Sequence, residues 1–218
     1  MAALLFDLDG TMLDTDRMHF AVFRDMLSER GREVDEAFYL SDVHGRINAD
    51  VFSELFPGED AEALSQAKEA EFRRRLPRPY PATPGLRDFI ERARAVGLRI
   101  AVVTNAMRPN AEAMLAATGL GDLVDHVVIA EECPQGKPHP APYLAAMEHF
   151  ALTPAACAAF EDSPSGLAAA RAAGLDCVGV RSSLGDAALR AAGARFSVED
   201  FTDPALGPLL DRLKGVPA

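Results

Sequence analysis

The sequence predicts an α/β protein with a doubly wound, Rossmann-like parallel sheet. Short apolar runs end in polar clusters and alternate with segments of helical periodicity. Continuous apolar runs of this kind are typical of parallel strands that helices cover on both faces. Gly97, Gly119 and Gly174 each follow a helical segment, as expected at the end of a helix. The β-α-β alternation therefore favours a doubly wound sheet.

The predicted strands and helices follow from these runs. Each strand is a short apolar stretch that closes on polar residues, and each helix carries apolar positions at helical spacing. We predict strands over residues 3–8, 98–104, 126–130, 157–160 and 177–180, and helices over residues 86–96, 110–118, 141–150 and 164–173.

One long segment interrupts this alternation. Residues 16–76 contain no convincing strand and are predicted to form helices over 18–28, 35–42, 49–56 and 61–76. Residues 75–85 are rich in proline, which is typical of a stiff linker. The sequence therefore predicts an all-helical domain (residues 16–82) inserted into an α/β core formed by residues 1–15 and 83–218.

Composition narrows the classes of partner. The formal net charge of −11 disfavours binding to nucleic acid or to anionic lipid. The first residues contain neither a basic segment nor a long apolar run, so neither a signal peptide nor a membrane span is expected. The number of cysteines is odd and they form no C-x-x-C pair. Cys157 and Cys177 lie in apolar stretches, which favours buried free thiols in a reducing compartment, and hence the cytoplasm.

The first polar cluster follows the first predicted strand. Residues two apart along a strand point the same way, so Asp7 and Asp9 are expected to face one site, with Gly10 forming a tight turn behind them. One carboxylate can then attack while the other exchanges a proton with the leaving oxygen. Taken alone, the cluster also fits a strand that ends in an ordinary turn.

Two further clusters offer groups that bind phosphate. Thr104 and Asn105 follow a predicted strand and can donate hydrogen bonds, and Lys137 is held between a glycine and a proline. When each cluster is taken alone, an ordinary turn is the preferred interpretation of Thr104 and Asn105, and a solvated surface lysine is the preferred interpretation of Lys137.

The fourth cluster supplies more carboxylates. Glu161 and Asp162 follow another strand, and Asp162 or Ser163 also suits the N-cap of the next helix. Ligands bind beyond the carboxyl ends of such strands, so these residues are expected to meet Asp7 and Asp9. Two charges about 4 Å apart repel by about 4 kcal/mol at an effective dielectric of about 20. A divalent cation and Lys137 would offset that repulsion, and Mg²⁺ prefers oxygen ligands.

The four segments FDLDGT, VVTNA, GKP and FEDSPSG occur in this order. Together they resemble the four ordered motifs of the haloacid dehalogenase (HAD) superfamily, and the resemblance covers essentially the whole chain. It implies that Asp7 is the nucleophile that takes up a phosphoryl group. It also implies that Asp9 protonates the leaving oxygen and then activates the water that hydrolyses the phospho-aspartate.

The resemblance also implies a ligand for each remaining motif residue. Phosphate would be held by Thr104, Asn105 and Lys137. Mg²⁺ would be held by Asp7, the backbone carbonyl of Asp9, and Asp162, with Glu161 binding directly or through water. The inserted helices correspond to the cap that selects substrate in many members of the superfamily.

Two features bear on the type of reaction. Asp9 favours phosphoryl transfer, because haloacid dehalogenases usually lack a carboxylate at this position. Residues 14–20 resemble the corresponding part of β-phosphoglucomutase and related sugar phosphatases. However, His44 and Asn48 stand where the mutases carry a lysine and an arginine, and Arg46 is shifted. The missing arginine favours a phosphatase.

We therefore expect a Mg²⁺-dependent phosphatase of small phosphorylated metabolites such as sugar phosphates, acting as a monomer or weak dimer. His19, His44 and Arg46 are candidate substrate contacts in the helical domain, with a solvated or capping role as the alternative. Two other functions remain open: a β-phosphoglucomutase-like phosphomutase, and a catalytically silent binding protein on the same fold.

Overall fold

The structure is a computed structural model that describes residues 1–43, 46 and 48–215. The chain divides into two compact units. One is an α/β unit that combines Met1–Asp14 with Arg78–Ala218, and the other is a helical unit, Thr15–Pro77. No helix among the described residues combines the length and the apolar composition needed to cross a membrane.

A six-stranded sheet with the order β3-β2-β1-β4-β5-β6 forms the centre of the α/β unit. All neighbouring strands are parallel, which confirms the predicted fold class. The strands are β1 (Ala3–Phe6), β2 (Arg99–Thr104), β3 (His126–Ile129), β4 (Cys157–Glu161), β5 (Asp176–Val180) and β6 (Phe196–Val198).

The described part of the helical unit contains helices and turns but no strand. Its helices are α1 (Asp16–Ser28), α2 (Glu36–Phe38), α3 (Asn48–Leu55) and α4 (Ala61–Arg75). The helix predicted over residues 35–42 is instead α2 followed by a π-helical turn, Tyr39–Val43. Asp35 begins this segment by accepting a hydrogen bond from the Phe38 N–H. Phe23 and Phe52 stack at 4.9 Å in the interior of this unit.

The remaining helices belong to the α/β unit. They are α5 (Leu86–Ala95), α6 (Arg108–Thr118), α7 (Ala141–His149), α8 (Pro164–Ala172), α9 (Asp186–Ala192) and α10 (Leu206–Lys214). Helix α8 begins where its sequence predicts, because Ser163 accepts a hydrogen bond from the Gly166 N–H and a proline follows it.

The central strand β1 is buried on both faces of the sheet. Phe6 stacks on Phe160 at 4.7 Å and contacts Phe89 edge-on. Leu5 belongs to a separate buried cluster that also contains Tyr143 of α7. Because side chains alternate along a strand, these two clusters cover opposite faces of the sheet.

Most of the predicted elements differ from the structure by one or two residues at an end, and β6, α9 and α10 were not predicted. Strand β1 ends at Phe6 rather than at residue 8, although the Asp7 N–H still donates to the Phe160 carbonyl at 2.9 Å. The chain then turns at Gly10, whose φ is +87°. Strand β6 was not predicted, because three residues are too short a run for a periodic pattern to be recognised.

Candidate active site

The loop after β1 approaches the end of β4 very closely. A Cβ atom at Gly10 would lie 2.1 Å from Oδ2 of Asp162, and the φ of +87° at Gly10 also disfavours any other residue. Gly10 therefore lets the Asp7 loop and the Asp162 loop meet at the carboxyl edge of the sheet.

Lys137 occupies the centre of this edge. Its Nζ donates to Oδ1 of Asp7 and to Oε1 of Glu161, both at 2.6 Å. Its side chain is only 3% exposed. Burial lowers the pKa of Lys137, but the charges of Asp7 and Glu161 outweigh it and raise the pKa above its ordinary value. The lysine is therefore a fixed cation that bridges two carboxylates.

Glu161 is fully buried at the end of β4. Its Oε1 accepts a second hydrogen bond, from the Tyr143 hydroxyl at 2.5 Å. A Cβ atom at Gly166 would lie 1.8 Å from Oε2, so only glycine fits there on the first turn of α8. Helix α8 thereby packs directly against this carboxylate.

Asp162 completes a group of three carboxylates. Asp7, Glu161 and Asp162 each offer an oxygen atom, and these atoms all lie within 4.8 Å of one another. Ser182, after β5, donates to Oδ2 of Asp162 at 3.1 Å. Together the three carboxylates carry more negative charge than Lys137 neutralises.

The pKa values of Asp7 and Asp162 reflect burial first and this excess of negative charge second. Burial raises the pKa of Asp7 to about 7, assisted by the charges of Glu161 and Asp9 and opposed by Lys137. Burial also raises the pKa of Asp162 well above its ordinary value, and the charges of Asp7 and Glu161 add to that effect. Three converging oxygen ligands that repel one another fit a divalent cation such as Mg²⁺.

Asp9 lies near this group but outside the three converging carboxylates. It is half-buried, and its charge contributes to raising the pKa values of both Asp7 and Asp162. Strand β1 has already ended before Asp7 and Asp9. The relative orientation of these two residues is therefore set by the turn at Gly10 and not by the alternation of side chains along a strand.

Thr104 and Asn105 are found at the end of β2, beside the lysine loop. The Asn105 amide forms a reciprocal pair with the Lys137 backbone, donating to its carbonyl at 3.2 Å and accepting from its N–H at 3.0 Å. The Thr104 hydroxyl accepts from the Ala106 N–H at 3.0 Å. Asn105 thus positions the loop that carries Lys137, which the sequence alone did not indicate.

The helical unit contains its own buried polar cluster around Lys68. Nζ of Lys68 lies 2.6 Å from Nδ1 of His19 and 2.8 Å from Oε1 of Glu69. Asn48 donates to the same Glu69 oxygen at 2.6 Å, and the His19 ring stacks on Phe72 at 4.1 Å. The structure therefore places His19 in a cluster within the helical unit, and Asn48 in contact with a carboxylate.

Arg46 and His44 are the other two predicted substrate contacts. Arg46 is exposed, and its guanidinium contacts both oxygens of Glu54, at 2.5 and 3.1 Å. His44 lies outside the described residues.

Sequence reasoning missed Tyr143, Ser182 and Gly166, which surround the carboxylates. Tyr143 stands on a helix whose apolar pattern explains it as a core residue. A buried tyrosine normally has a hydrogen-bond partner for its hydroxyl, so the sequence could have indicated that such a partner exists. The partner itself is identified only once the fold brings α7 beside β4.

Cys157 and Cys177 are buried free thiols, as predicted.

Comparison with known proteins places the chain in a family. Residues 1–174 match the model of the haloacid dehalogenase-like hydrolases. The protein CbbY of Rhodobacter capsulatus is 34% identical over 195 residues, which are 82% of this chain and 84% of CbbY. The fructose-1-phosphate phosphatase YqaB of Escherichia coli is 34% identical over 188 residues, which are 83% of this chain and 96% of YqaB.

A solved structure shares this fold. It is a mutant of CbbY from Rhodobacter sphaeroides in complex with xylulose-(1,5)bisphosphate, with a TM-score of 0.79 and 25% identity. The match covers 93% of this chain and 96% of that one. With the parallel sheet, the lysine-bridged carboxylates and the family match over most of its length, the chain belongs to the haloacid dehalogenase-like hydrolases.

Proposed function

We propose that the protein is a Mg²⁺-dependent phosphatase that hydrolyses small phosphorylated metabolites, such as sugar phosphates, through a phospho-aspartate on Asp7. One observation carries this proposal: Lys137 bridges Asp7 and Glu161 while Asp162 lies beside them, so a nucleophile, a cation and metal ligands converge. Relatives in the same family are named as phosphatases of phosphorylated carbohydrates and of fructose 1-phosphate.

The metal ligands in this proposal are Asp7, Asp162, Glu161 and the backbone carbonyl of Asp9. The three converging carboxylates support this assignment, because they repel one another without a cation. A bound Mg²⁺ would supply positive charge that offsets the charge of the substrate phosphate.

The proposed reaction has two steps. A carboxylate oxygen of Asp7 attacks phosphorus and forms an O–P bond, the ester P–O bond breaks, and Asp9 gives its proton to the leaving alcohol oxygen. Asp9, now a carboxylate, takes a proton from a water molecule that attacks the same phosphorus. The Asp7–phosphorus bond then breaks, and inorganic phosphate and free Asp7 result.

The phosphoryl group in this scheme is bound by Thr104, Asn105 and Lys137. Lys137 already contacts Oδ1 of Asp7 at 2.6 Å, so its ammonium lies beside the carboxylate that attacks. Thr104 keeps a hydroxyl proton to donate, since in the described contact it accepts from Ala106. Asn105 also contributes indirectly, by pairing with the Lys137 backbone.

We assign substrate selection to the predicted cap domain, residues 16–82, with His19, His44 and Arg46 as candidate contacts. His19 supports this assignment because it lies against the ammonium of Lys68, and such a pair suits a hydroxyl or an anionic oxygen.

A phosphatase is favoured over a phosphomutase, because a mutase must bind a second phosphate and this chain lacks the arginine that the mutases carry for it. At the position where the mutases carry an arginine, Asn48 is bound to Glu69. The nearby Arg46 is paired with Glu54. Both side chains therefore contact carboxylates, which would compete with a second phosphate for them. We further propose a reducing, cytoplasmic location, in keeping with the free thiols, and action as a monomer or weak dimer.

The test is release of inorganic phosphate from a panel of phosphate monoesters, with Mg²⁺ or with a chelator, by the wild type and by Asp7→Asn. Asp88→Asn, an exposed change of the same kind on α5, is the matched control. We expect release that requires both the metal and Asp7. Equal release by Asp7→Asn would refute the phospho-aspartate. No release from any ester, together with conversion of β-glucose 1-phosphate when a 1,6-bisphosphate is present, would establish the mutase instead.

A further inference from the structure

Tyr143 is a buried polar residue without a role in the scheme above. It is fully buried on α7, and its hydroxyl donates to Oε1 of Glu161 at 2.5 Å. A hydroxyl that donates to a charged carboxylate forms a short and strong hydrogen bond. The contact therefore contributes more than an ordinary hydrogen bond in the core.

Few donors reach the Glu161 carboxylate among the described residues. Lys137 and Tyr143 both donate to Oε1, whereas Ser163 approaches Oε2 only at 3.5 Å. An ionised carboxylate in the interior is stable only if it is paired and hydrogen-bonded. Removal of the Tyr143 hydroxyl would leave the lysine as the sole close donor to this buried charge.

The same lysine also has to serve Asp7. Its Nζ is equally distant, at 2.6 Å, from Asp7 and from Glu161. An ammonium shared between two carboxylates moves toward the one that is less well satisfied, because that contact then gains more energy. The Tyr143 hydroxyl satisfies part of the Glu161 charge and so keeps Lys137 available to Asp7.

We propose that Tyr143 is a positioning residue that acts through Glu161. Its hydroxyl holds Glu161 so that the Lys137 ammonium stays directed at the nucleophile and at the phosphoryl oxygens. The inference rests on the proposed function, since it assigns Lys137 to the phosphoryl group. It adds to that function a residue on α7 that contacts neither substrate nor metal.

Tyr143→Phe removes the hydroxyl and keeps the ring, which lies with its centroid 5.3 Å from Nζ of Lys137. We expect kcat/KM to fall about tenfold and the inhibition constant for inorganic phosphate to rise several-fold, because Lys137 is drawn toward Glu161. The control is Thr118→Val, which removes a hydroxyl on α6 that donates to the Met114 carbonyl at 3.0 Å. We expect the control to change kcat/KM less than about twofold, because no carboxylate loses a donor.

A double-mutant cycle separates positioning from simple packing. Glu161→Gln removes the negative charge that competes with Asp7 for Lys137. The Tyr143 hydroxyl then no longer has a charge at residue 161 to offset. We expect Tyr143→Phe to change phosphate inhibition and kcat/KM less than about twofold in the Glu161→Gln background. A merely structural hydroxyl would instead lower the melting temperature equally in both backgrounds and leave phosphate inhibition unchanged, and that result would overturn the proposal.

The outcomes remain distinct if a variant or the proposed function fails. If Tyr143→Phe does not fold, folding of the double variant with Glu161→Gln supports the coupling, and failure of both refutes it. If the wild type releases phosphate from no ester, the proposed function fails. The cycle is then read from the rise in melting temperature caused by Mg²⁺ plus inorganic phosphate, where equal rises in wild type and Tyr143→Phe refute the inference.

Discussion

Each unit of the protein buries a lysine against carboxylates, but the two clusters differ in their charge balance. Among the described residues of the helical unit, Lys68 pairs with the carboxylate of Glu69, and His19 and Asn48 contact Lys68 and Glu69, respectively. In the α/β unit, Lys137 serves two carboxylates, and Asp162 lies within reach as a third.

The difference distinguishes a cluster whose charges balance from a cluster that lacks a cation. A single ion pair with further hydrogen bonds satisfies its own charges in the interior. Three carboxylates around one ammonium retain excess negative charge, and this charge adds to burial, the larger cause, in raising the pKa values of Asp7 and Asp162. A buried lysine alone therefore does not indicate a metal site, whereas an uncompensated negative charge favours one.

The largest expected effect comes from removing each lysine. Lys137→Met and Lys68→Met each leave buried carboxylate charge without its ammonium, so we expect losses of about 3–5 kcal/mol in the free energy of unfolding. Lys137→Met should also lower kcat/KM by about 10²–10³-fold. Millimolar Mg²⁺ should restore part of the stability of Lys137→Met, because the bound Mg²⁺ takes the place of the lost ammonium charge. For Lys68→Met, we expect Mg²⁺ to stabilise the protein no more than it stabilises the wild type.

Chemical denaturation with and without Mg²⁺ measures both variants. The double variant Lys68→Met/Glu69→Leu is the control for the balanced cluster, and we expect it to recover most of the lost stability because no unpaired charge remains. Equal rescue of the two single variants by Mg²⁺ would contradict the comparison.

The second effect is the pH dependence of metal binding. The folded pKa of Asp7, about 7, exceeds its ordinary value of 3.8, so the folded state binds more protons than the unfolded state between these values. Stability contributed by protonated Asp7 is complete below about pH 4 and is lost as the pH rises through about 7, in the absence of metal. Mg²⁺ favours the ionised carboxylates, so its stabilisation should grow as the pH rises.

Differential scanning fluorimetry at pH 5 and pH 8, with chelator or with Mg²⁺, tests this dependence. At about 100 times the dissociation constant, bound Mg²⁺ would add about 2.7 kcal/mol, and we expect that gain at pH 8 and a much smaller one at pH 5. A larger gain at pH 5 would contradict the assignment of Asp7 and Asp162 to the metal.

A pair of helical glycines gives the third effect. Gly166→Ala places a Cβ atom 1.8 Å from Glu161, whereas the same change at Gly207 on α10 meets no atom within 4 Å. We expect Gly166→Ala to destabilise by about 2 kcal/mol and to impair Mg²⁺ binding. Gly207→Ala should stabilise by about 0.5 kcal/mol, because it restricts the unfolded chain. Thermal unfolding of both variants decides, and similar melting temperatures would contradict the close packing of α8.

The smallest expected effect is the pH dependence of stability that His126 contributes. His126 stacks on His149 at 3.5 Å, and burial lowers its pKa below 6.5, with the charges of His149 and Arg108 adding to that effect. Its neutral form is therefore favoured by folding, and this stability is present above about pH 6.5 and lost as the pH falls through the lower folded pKa. We expect His126→Phe to reduce that loss by less than about 1 kcal/mol.

Unfolding with Mg²⁺ present at pH 5.5 and pH 7.5 gives the comparison, with His139→Ala at an exposed position as control. A steeper acid loss in His126→Phe than in the wild type would show that the stack does not act in this way.

Much of the fold followed from local pattern. Apolar runs that close on polar clusters identify β1, β2 and β4, and parallel strands bring their carboxyl ends together, so Asp7, Thr104 and Glu161 had to meet at one edge. The exact end of β1 did not follow, because the apolar residue Leu8 continues the pattern after the strand has ended at Phe6.

The supporting residues of the site were beyond sequence reasoning for a physical reason. The Asn105 amide and the Lys137 backbone pair across loops that are distant in the chain, and Tyr143 reaches Glu161 from a helix whose apolar pattern already explained it. Such contacts depend on the packing of α7 and β4, and not on any local spacing. The pairing of Arg46 with Glu54 is likewise a matter of side-chain geometry.

The central position of β1 has a consequence for biosynthesis. Ala3 of this strand pairs with Arg99 on one side and with Cys157 on the other, so an early segment of the nascent chain waits for partners made much later. At about 5–20 residues per second, the ribosome takes on the order of ten seconds or more to supply the second partner. The contiguous helical unit is complete long before then, whereas Asp7 can contact Lys137, Glu161 and Asp162 only after the chain has been made through residue 162.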